Sequence, residues 1–535
     1  MSNALSRRRF LALSGAGAIA VLAPQSPMQA LAATRSDRRR LLSGGGFAEG
    51  VLSGDPTPNG ITLLTRMTGT EAAGQVRVEI ATDRAFDHVV ASKDINTSAN
   101  AGHSVKARIA GLRAGERYFY RFHGRTAESP VGRFQTAPPA DSRQPVRFAF
   151  FSCQEFTLGY FNAHRLLARE DVDFVINLGD YIYSDLDFGP PNGVRELPSA
   201  PPDGAHPTVT FDEYCQRYRD YRSDADLRAM HAQHAMISCW DDHDVQNDYA
   251  GGDPHGGEAT SGGLSGTGNA PPYNYTVARR DAAYRAFFRS MPTYAIGKQR
   301  LYHRAAFGRH VDLFVLDERQ YRASQPCGDV VGPACAELPH PRAFLGRQQN
   351  AFLRSGLTRS RATWKVIANE VVMMGVKTSP TEYEMFDAWQ GYPTEREALL
   401  QVIRKEHVKN VVFVTGDYHA YIAGDVQTAA KQTVATEFVG GSITTPSTPE
   451  ALALAGLPGS GTPDHPVVPA DQLASYREAN PYYKELDFLS HGYVVCEAGP
   501  DTFKATYRKL ATTRARSTRT KSSTTYTVHS GRPGL

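Results

Sequence analysis

The sequence predicts an α/β fold of four layers, α/β/β/α, preceded by a small all-β domain. Three observations predict it. Residues 46–137 alternate apolar and polar residues between turn signals. From residue 146 onward, apolar strands alternate with helical stretches. The last strands, "SHGYVVCEAG", "TFKATYRKL" and "TTYTVHSG", alternate as antiparallel strands do. With 535 residues the chain is too long for one small core, so two domains are expected.

The N-terminus reads as an export signal rather than as part of the fold. In "SRRRFLALSGAGAIAVLAPQSPMQALAAT" an arginine pair precedes a short apolar run, and Ala30-Leu31-Ala32 offers a small-residue cleavage site. The run Phe10–Ala23 is shorter than the roughly 20 residues a membrane span needs. Residues 1–32 are therefore expected to be a twin-arginine signal, recognised by the twin-arginine translocase. A periplasmic or secreted location follows, with export in the folded state. The segment carries Arg7, Arg8 and Arg9 and no acid, so its removal takes the formal charge from +4 to +1. That balance gives no reason to expect a stable nucleic-acid complex.

Within 46–137, "ITLLTRM", "QVRVEIATD", "HSVKARIAGL" and "RYFYRFHG" are the expected strands. Tyr118 follows Leu112 by six residues, as in the tyrosine corner of an immunoglobulin- or fibronectin-like sandwich. No cluster of catalytic side chains falls here, so the expected role is structural. Residues 138–145, within the Pro-rich "TAPPADSRQP", form the expected linker.

Residues 146–535 carry the chemistry. The expected strands are "VRFAFFSCQ", "VDFVINLGD", "AMISCWDDHD", "HVDLFVLDERQ", "TWKVIANEVVMM" and "NVVFVTGDYHA". Helical periods run through "FNAHRLLARED", "GRQQNAFLRSGL" and "EREALLQVIRKEH", and through "TFDEYCQRYRDYRSDADLRAMHAQH", read as one long helical stretch. Cys327 and Cys335 flank a Gly/Pro loop, a spacing that suits a local bridge and no zinc ribbon. The glycine-rich Ala250–Pro272 reads as a surface loop or as the rim of an active site. Walker, Rossmann and serine-hydrolase patterns do not occur.

Four expected strands end on unusual side chains: Cys153; Asp180 with Tyr183; Asp241, Asp242, His243, Asp244, Asn247 and Asp248; and Asp417 with His419. Taken singly, each has an ordinary structural explanation, such as a turn cap or a buried small thiol. Their recurrence at strand tips, where α/β sheets bind ligands, points to a metal centre. A carboxylate at the end of an apolar strand is costly unless a cation meets it.

These tips resemble the binuclear metallophosphoesterases, which place D-x-H, G-D, G-N-H-[DE] and G-H-x-H at such positions. Here G-D is intact, D-D-H-D replaces the third motif, Cys153 stands in the first, and Gly416-Asp417-Tyr418-His419 replaces the last. Together with "EGVLSGDPTPNGITLLTR", "LDERQYR" and "DAWQGYP", these departures are similar to the alkaline phosphatase D (PhoD-like) family over the whole mature chain. Asp248 stands where the family has a second asparagine. The resemblance implies a metallophosphoesterase-like sandwich with ferric iron and calcium. Cys153, Asp180, Tyr183 and His419 would hold iron; Asp180, Asn247 and Asp417 would hold calcium. Thiolate and phenolate suit a trivalent transition metal, and carboxylate and amide oxygens suit calcium. His243, flanked by Asp242, is the candidate catalytic residue.

The implied activity is alkaline hydrolysis of phosphate monoesters and diesters by a metal-activated hydroxide. The same motifs fit a phospholipase D-type phosphodiesterase acting on phospholipid or polymeric phosphodiester. A non-enzymatic exported binding protein is the alternative from another class, and the intact ligand set argues against it. A purple acid phosphatase would have histidines where Cys153 and Asp417 stand.

Overall fold

The structure is a computed structural model describing residues 41–185, 193–199, 206–254 and 274–535. The expected signal, 1–32, and most of Ala250–Pro272 lie outside the described residues.

Seven strands come first: β1 (Val51–Thr57), β2 (Gly60–Arg66), β3 (Gly74–Ala81), β4 (Val89–Thr97), β5 (Ser104–Ala110), β6 (Arg117–His123) and β7 (Gly132–Gln135). They form two layers, β1-β2-β5 and β4-β3-β6-β7. Inward residues of both layers, among them Ile61, Leu63, Val76, Val78, Tyr120 and Phe122, share one core. The tyrosine corner is present: the Arg113 backbone N–H donates to Tyr118 Oη at 2.9 Å.

Then follow β8 (Val146–Phe151), β9 (Phe174–Leu178), β10 (Ala235–Cys239), β11 (His303–Phe307), β12 (Val311–Val315), β13 (Gly332–Pro333), β14 (Trp364–Asn369), β15 (Lys377–Ser379), β16 (Glu382–Tyr383) and β17 (Val411–Thr415). The chain ends with β18 (Tyr421–Gln427), β19 (Thr433–Val439), β20 (Gly461–Thr462), β21 (His465–Pro466), β22 (Tyr483–Asp487), β23 (Gly492–Ala498), β24 (Thr502–Leu510) and β25 (Thr520–His529).

Two large sheets result. The nine-stranded sheet runs β25-β24-β23-β8-β9-β10-β1-β2-β5, and the seven-stranded sheet runs β11-β12-β14-β17-β19-β18-β22. Side chains alternate between two cores, as the period of a strand requires. Val412 and Val414 of β17 face the other sheet, in a core shared with Phe148, Phe150 and Ile176. Val411 and Phe413 face outward, onto Leu353, Leu357, Leu399 and Ile403 of the helices Gly346–Arg359 and Pro393–Lys405. Sheet thus packs on sheet, and helices cover the outside of both, which is the expected four-layer α/β/β/α arrangement.

Three features differ from the sequence reading. The first N-terminal layer is continuous with the nine-stranded sheet, because β1 pairs in parallel with β10 through Ser53–Ala235 and Gly54–Met236. Gly54 permits this approach, since a Cβ there would lie 2.6 Å from the Met236 carbonyl oxygen. The long helical stretch is also two helices, Phe211–Arg222 and Ala225–Gln233. Asp224 interrupts it, accepting from the backbone N–H groups of Asp226 at 2.8 Å and Leu227 at 3.2 Å. An N-cap needs extended backbone at that residue, so helical periodicity alone could not carry through it. A further helix, Val277–Ser290, was not foreseen.

Candidate metal centre

β8, β9 and β10 are mutually parallel, as are β12, β14, β17 and β19. Their C-terminal ends therefore open on one edge of the sandwich. Glycine brings neighbouring tips into contact. Gly179 has φ +96°, and a Cβ on it would come within 2.3 Å of Asp241 Cβ. A Cβ on Gly416 would come within 2.9 Å of Ser152. The aspartate after each glycine is left-handed too: Asp180 has φ 52° and Asp417 φ 65°. Cys153 and His419 share that conformation, with φ 58° each. Non-glycine residues enter this region at a cost and cluster at functional sites.

Three groups of ligand-type atoms interlock here, the atoms within each lying within 4.8 Å of one another: Cys153–Asp180–His419, Asp180–Asp242–His243 and Asp241–Asp242–Asp417. Asp180 is common to the first two and Asp242 to the last two. Tyr183 joins the first group, its hydroxyl donating to Asp180 Oδ2 at 2.8 Å and lying 3.3 Å from His419 Nε2. Thr445 donates to that phenol oxygen at 2.8 Å. His419 Nδ1 lies 2.9 Å from the Pro446 carbonyl oxygen and must donate to it, which leaves Nε2 as a lone-pair donor facing the cluster. Burial, then the charge of His243, lowers the His419 pKa to about 4 and keeps the ring neutral.

The electrostatics ask for a cation. Burial, then neighbouring Asp242, Asp241 and Asp244, raises Asp180 well above the carboxylate range against the pull of His243. Burial and Asp241 raise Asp417. Burial and Asp180 raise the Cys153 thiol and the Tyr183 phenol. Asp241 Oδ2 and Asp242 Oδ1 are buried without a hydrogen-bond partner. Packed anionic donors with orphaned oxygens fit metal ions, which the donor types admit.

The structure places the other expected residues as follows. His243 stacks on Tyr183 with ring centroids 4.2 Å apart, and its Nδ1 lies 2.7 Å from Asp185 Oδ2. Burial opposes charge on His243, but Asp242, Asp180 and Asp185 outweigh it and raise its pKa. The Asn247 backbone N–H also donates to Asp185, at 2.8 Å, and its side-chain amide to Asp248. Asp248 groups with Asp329 and Asp387 rather than with Asp180 or Asp417.

Sequence reasoning missed Arg319, Asp387 and Asp185. Arg319 is fully buried and bridges Asp241, Asp387 at 2.6 Å and Asp417 at 3.2 Å, with Asp242 at 3.5 Å. It follows β12 and lies inside "LDERQYR", and Asp387 inside "DAWQGYP". An arginine directly after the apolar run and acids of "LFVLDER" was the available signal. The disulfide between Cys327 and Cys335 is formed.

Two facing mixed sheets with acidic, thiol, phenol and imidazole groups at one edge define a metallophosphoesterase-like protein. Family comparison narrows this: residues 148–507 match the PhoD-like phosphatase model, and residues 32–138 match the N-terminal domain of PhoD-like phosphatases. The chain belongs to the PhoD-like phosphatase family and is a hydrolase. It is 32% identical to alkaline phosphatase D of Bacillus subtilis (strain 168), over 95% of this chain and 85% of that protein. Among solved structures it resembles that of PhoD, with 29% identity, 91% coverage of each chain and a TM-score of 0.78. A purple acid phosphatase, PPD1 from yellow lupin, shares the fold at 14% identity and TM-score 0.52, over 89% of this chain and 73% of that one.

Proposed function

We propose that this protein is an exported phosphatase that releases phosphate from monoesters and diesters at alkaline pH, with ferric iron and calcium in the strand-tip cluster. The observation that carries this reading is Asp180, which joins a thiol–imidazole–phenol set to a carboxylate set. Cys153, Asp180, Tyr183 and His419 would hold iron; Asp180, Asp417 and Asn247 would hold calcium, Asn247 beside Asp185. Such ions supply Lewis-acid charge to a phosphoryl group and lower the pKa of water. His243 sits beside this cluster, held by Asp185 on one ring nitrogen. Asp242 lies next to it, and the imidazolium is the group to donate a proton to the leaving oxygen or a hydrogen bond to the phosphate.

Export through the twin-arginine translocase rests on residues 1–32 alone. Among the described residues no helix is long and apolar enough to cross a membrane. The 46–137, 138–145 and 146–535 divisions stand as the proposed domain plan. The test is a metal analysis of protein purified without added metals, together with phosphate release from a monoester, a simple diester and a phospholipid. Iron and calcium with phosphate release is the expected result. Phospholipid turnover without monoester turnover would favour the phospholipase D-type reading, and full activity with zinc alone would overturn the metal assignment.

A further inference from the structure

Away from the strand tips, a cavity of about 110 Å³ lies between the N-terminal layer and the helices Phe211–Arg222 and Val277–Ser290. Arg66 and Glu49 come from the first side, Arg219 and Arg222 from the helix Phe211–Arg222, and Arg289 from Val277–Ser290. Four guanidinium groups meet there. Arg66 is paired with Glu49 at 2.7 Å. The other three make neutral contacts: Arg219 Nε donates to the Gln216 amide at 2.8 Å, Arg222 to the Ser290 carbonyl, and Arg289 lies 5.4 Å from the Phe211 ring centroid. Arg222 is 4% exposed, and its Nε is buried with no partner.

Arg222 is thus a buried guanidinium with an unpartnered nitrogen, and a buried cation is costly without an anion beside it. Burial, then the nearby charge of Arg66, lowers the pKa of Arg219. Glu49 and Asp212 also line the cavity, so four guanidinium groups face two carboxylates there, and guanidinium forks match the oxygens of phosphate in pairs. A single water needs roughly 10–15 Å³ of such space, so a tetrahedral oxyanion fits. Ala99, Asn100 and Asp212 at the lining are exposed and give it a mouth. The helix Phe211–Arg222 separates this cavity from the metal centre: its opposite face sends Tyr214 to Val245, Tyr218 to Asp244 and Tyr221 to the backbone of Tyr183.

We infer that this arginine-lined cavity is a second anion site, separate from the catalytic centre, that binds a phosphate group. The ligand is free phosphate or the phosphate of a small ester. Calorimetric titration of the full-length, metal-loaded protein with inorganic phosphate, and separately with methylphosphonate, is expected to resolve two sites. In Arg219→Gln and in Arg289→Gln the second site should weaken at least tenfold, while the first and the turnover number stay unchanged. Arg219→Lys should lose less. Binding of phosphate alone assigns the free ion, and equal binding of both assigns the phosphate group of an ester. Two variants from different helices guard against a folding defect in one, checked by circular dichroism. A single site in the wild-type protein, or two sites unaltered in both glutamine variants, would overturn the inference.

Discussion

Arg319 reaches Asp417 across the candidate metal centre, Nη2 donating to Oδ1 at 3.2 Å, while its other nitrogens hold Asp241 and Asp387. One guanidinium thus fixes carboxylates from three separate segments of chain. Burial opposes its charge, and Asp241, Asp242, Asp387 and Asp417 more than restore it.

Replacing Arg319 by leucine should therefore leave buried carboxylates uncompensated. Breaking such a pair costs about 3–5 kcal/mol. Denaturant unfolding should show that loss, and metal content per chain should fall, because Asp417 and Asp242 would no longer be oriented. Arg319→Lys keeps the charge without the fork and should recover only part of both. Wild-type stability with full metal content in the leucine variant would refute this role.

Asp180 and Asp417 occupy left-handed strand tips, and burial with neighbouring aspartates raises the pKa of both despite the charges of His243 and Arg319. Asp180→Asn and Asp417→Asn should each cost several kcal/mol of transition-state stabilisation, a fall of roughly a thousandfold or more in phosphate release. Circular dichroism should be unchanged, since the sheets do not depend on these side chains. Near-normal turnover in both would reduce the two Gly-Asp-Tyr segments to caps.

Tyr183, 2.8 Å from Asp180 and 3.3 Å from His419 Nε2, is placed to share the ion that these two are proposed to hold. Iron held by a phenolate gives a coloured protein, so a broad visible band is expected, lost in Tyr183→Phe. A colourless wild-type protein with full iron content would exclude the phenolate.

Calcium should leave first. Oxygen donors such as Asp417 and Asn247 release calcium more readily than a thiolate set releases iron. Mild chelation should abolish activity with iron retained, and added calcium should restore it. Restoration by zinc but not calcium would count against the assignment.

The loop that carries Thr445 and Pro446 to the metal centre is braced by His491. Its Nε2 lies 2.9 Å from Glu450 and its Nδ1 2.9 Å from Ser442 Oγ, whose own hydrogen goes to the Thr445 carbonyl. Both ring nitrogens must then donate, so the ring is an imidazolium. Burial opposes this, but Glu450 outweighs it and the pKa is raised. The stabilisation is fully present below the unfolded value of about 6.5 and is lost as pH rises through the higher folded value. His491→Gln should therefore destabilise the protein more at pH 6 than at pH 9, by on the order of 1–2 kcal/mol at the lower pH. Equal loss at both pH values, by thermal unfolding, would remove the charge from this account.

The sequence by itself determined what local pattern can encode. Continuous apolar runs ended by Gly-Asp specified buried strands with anionic tips, and the types of donor at four tips pointed to a candidate metal centre. Lys, Arg, Asp and Glu counts gave no reason to expect a nucleic-acid partner, and the Cys327–Cys335 spacing permitted a bridge that the structure forms. Tertiary structure alone decided which distant residues complete that centre. Thr445 meets Tyr183 across 262 residues of chain, and Arg319 meets Asp417 across 98. Strand order and register bring them together, and neither leaves a trace in a window of neighbouring residues. The junction of β1 with β10 leaves no sequence pattern, because two paired residues are too few to mark one. The arginine cavity was equally hidden: Arg66, Arg219, Arg222 and Arg289 are ordinary surface-type residues in sequence, and packing of the N-terminal layer on two helices is what gathers their charge and buries that of Arg222.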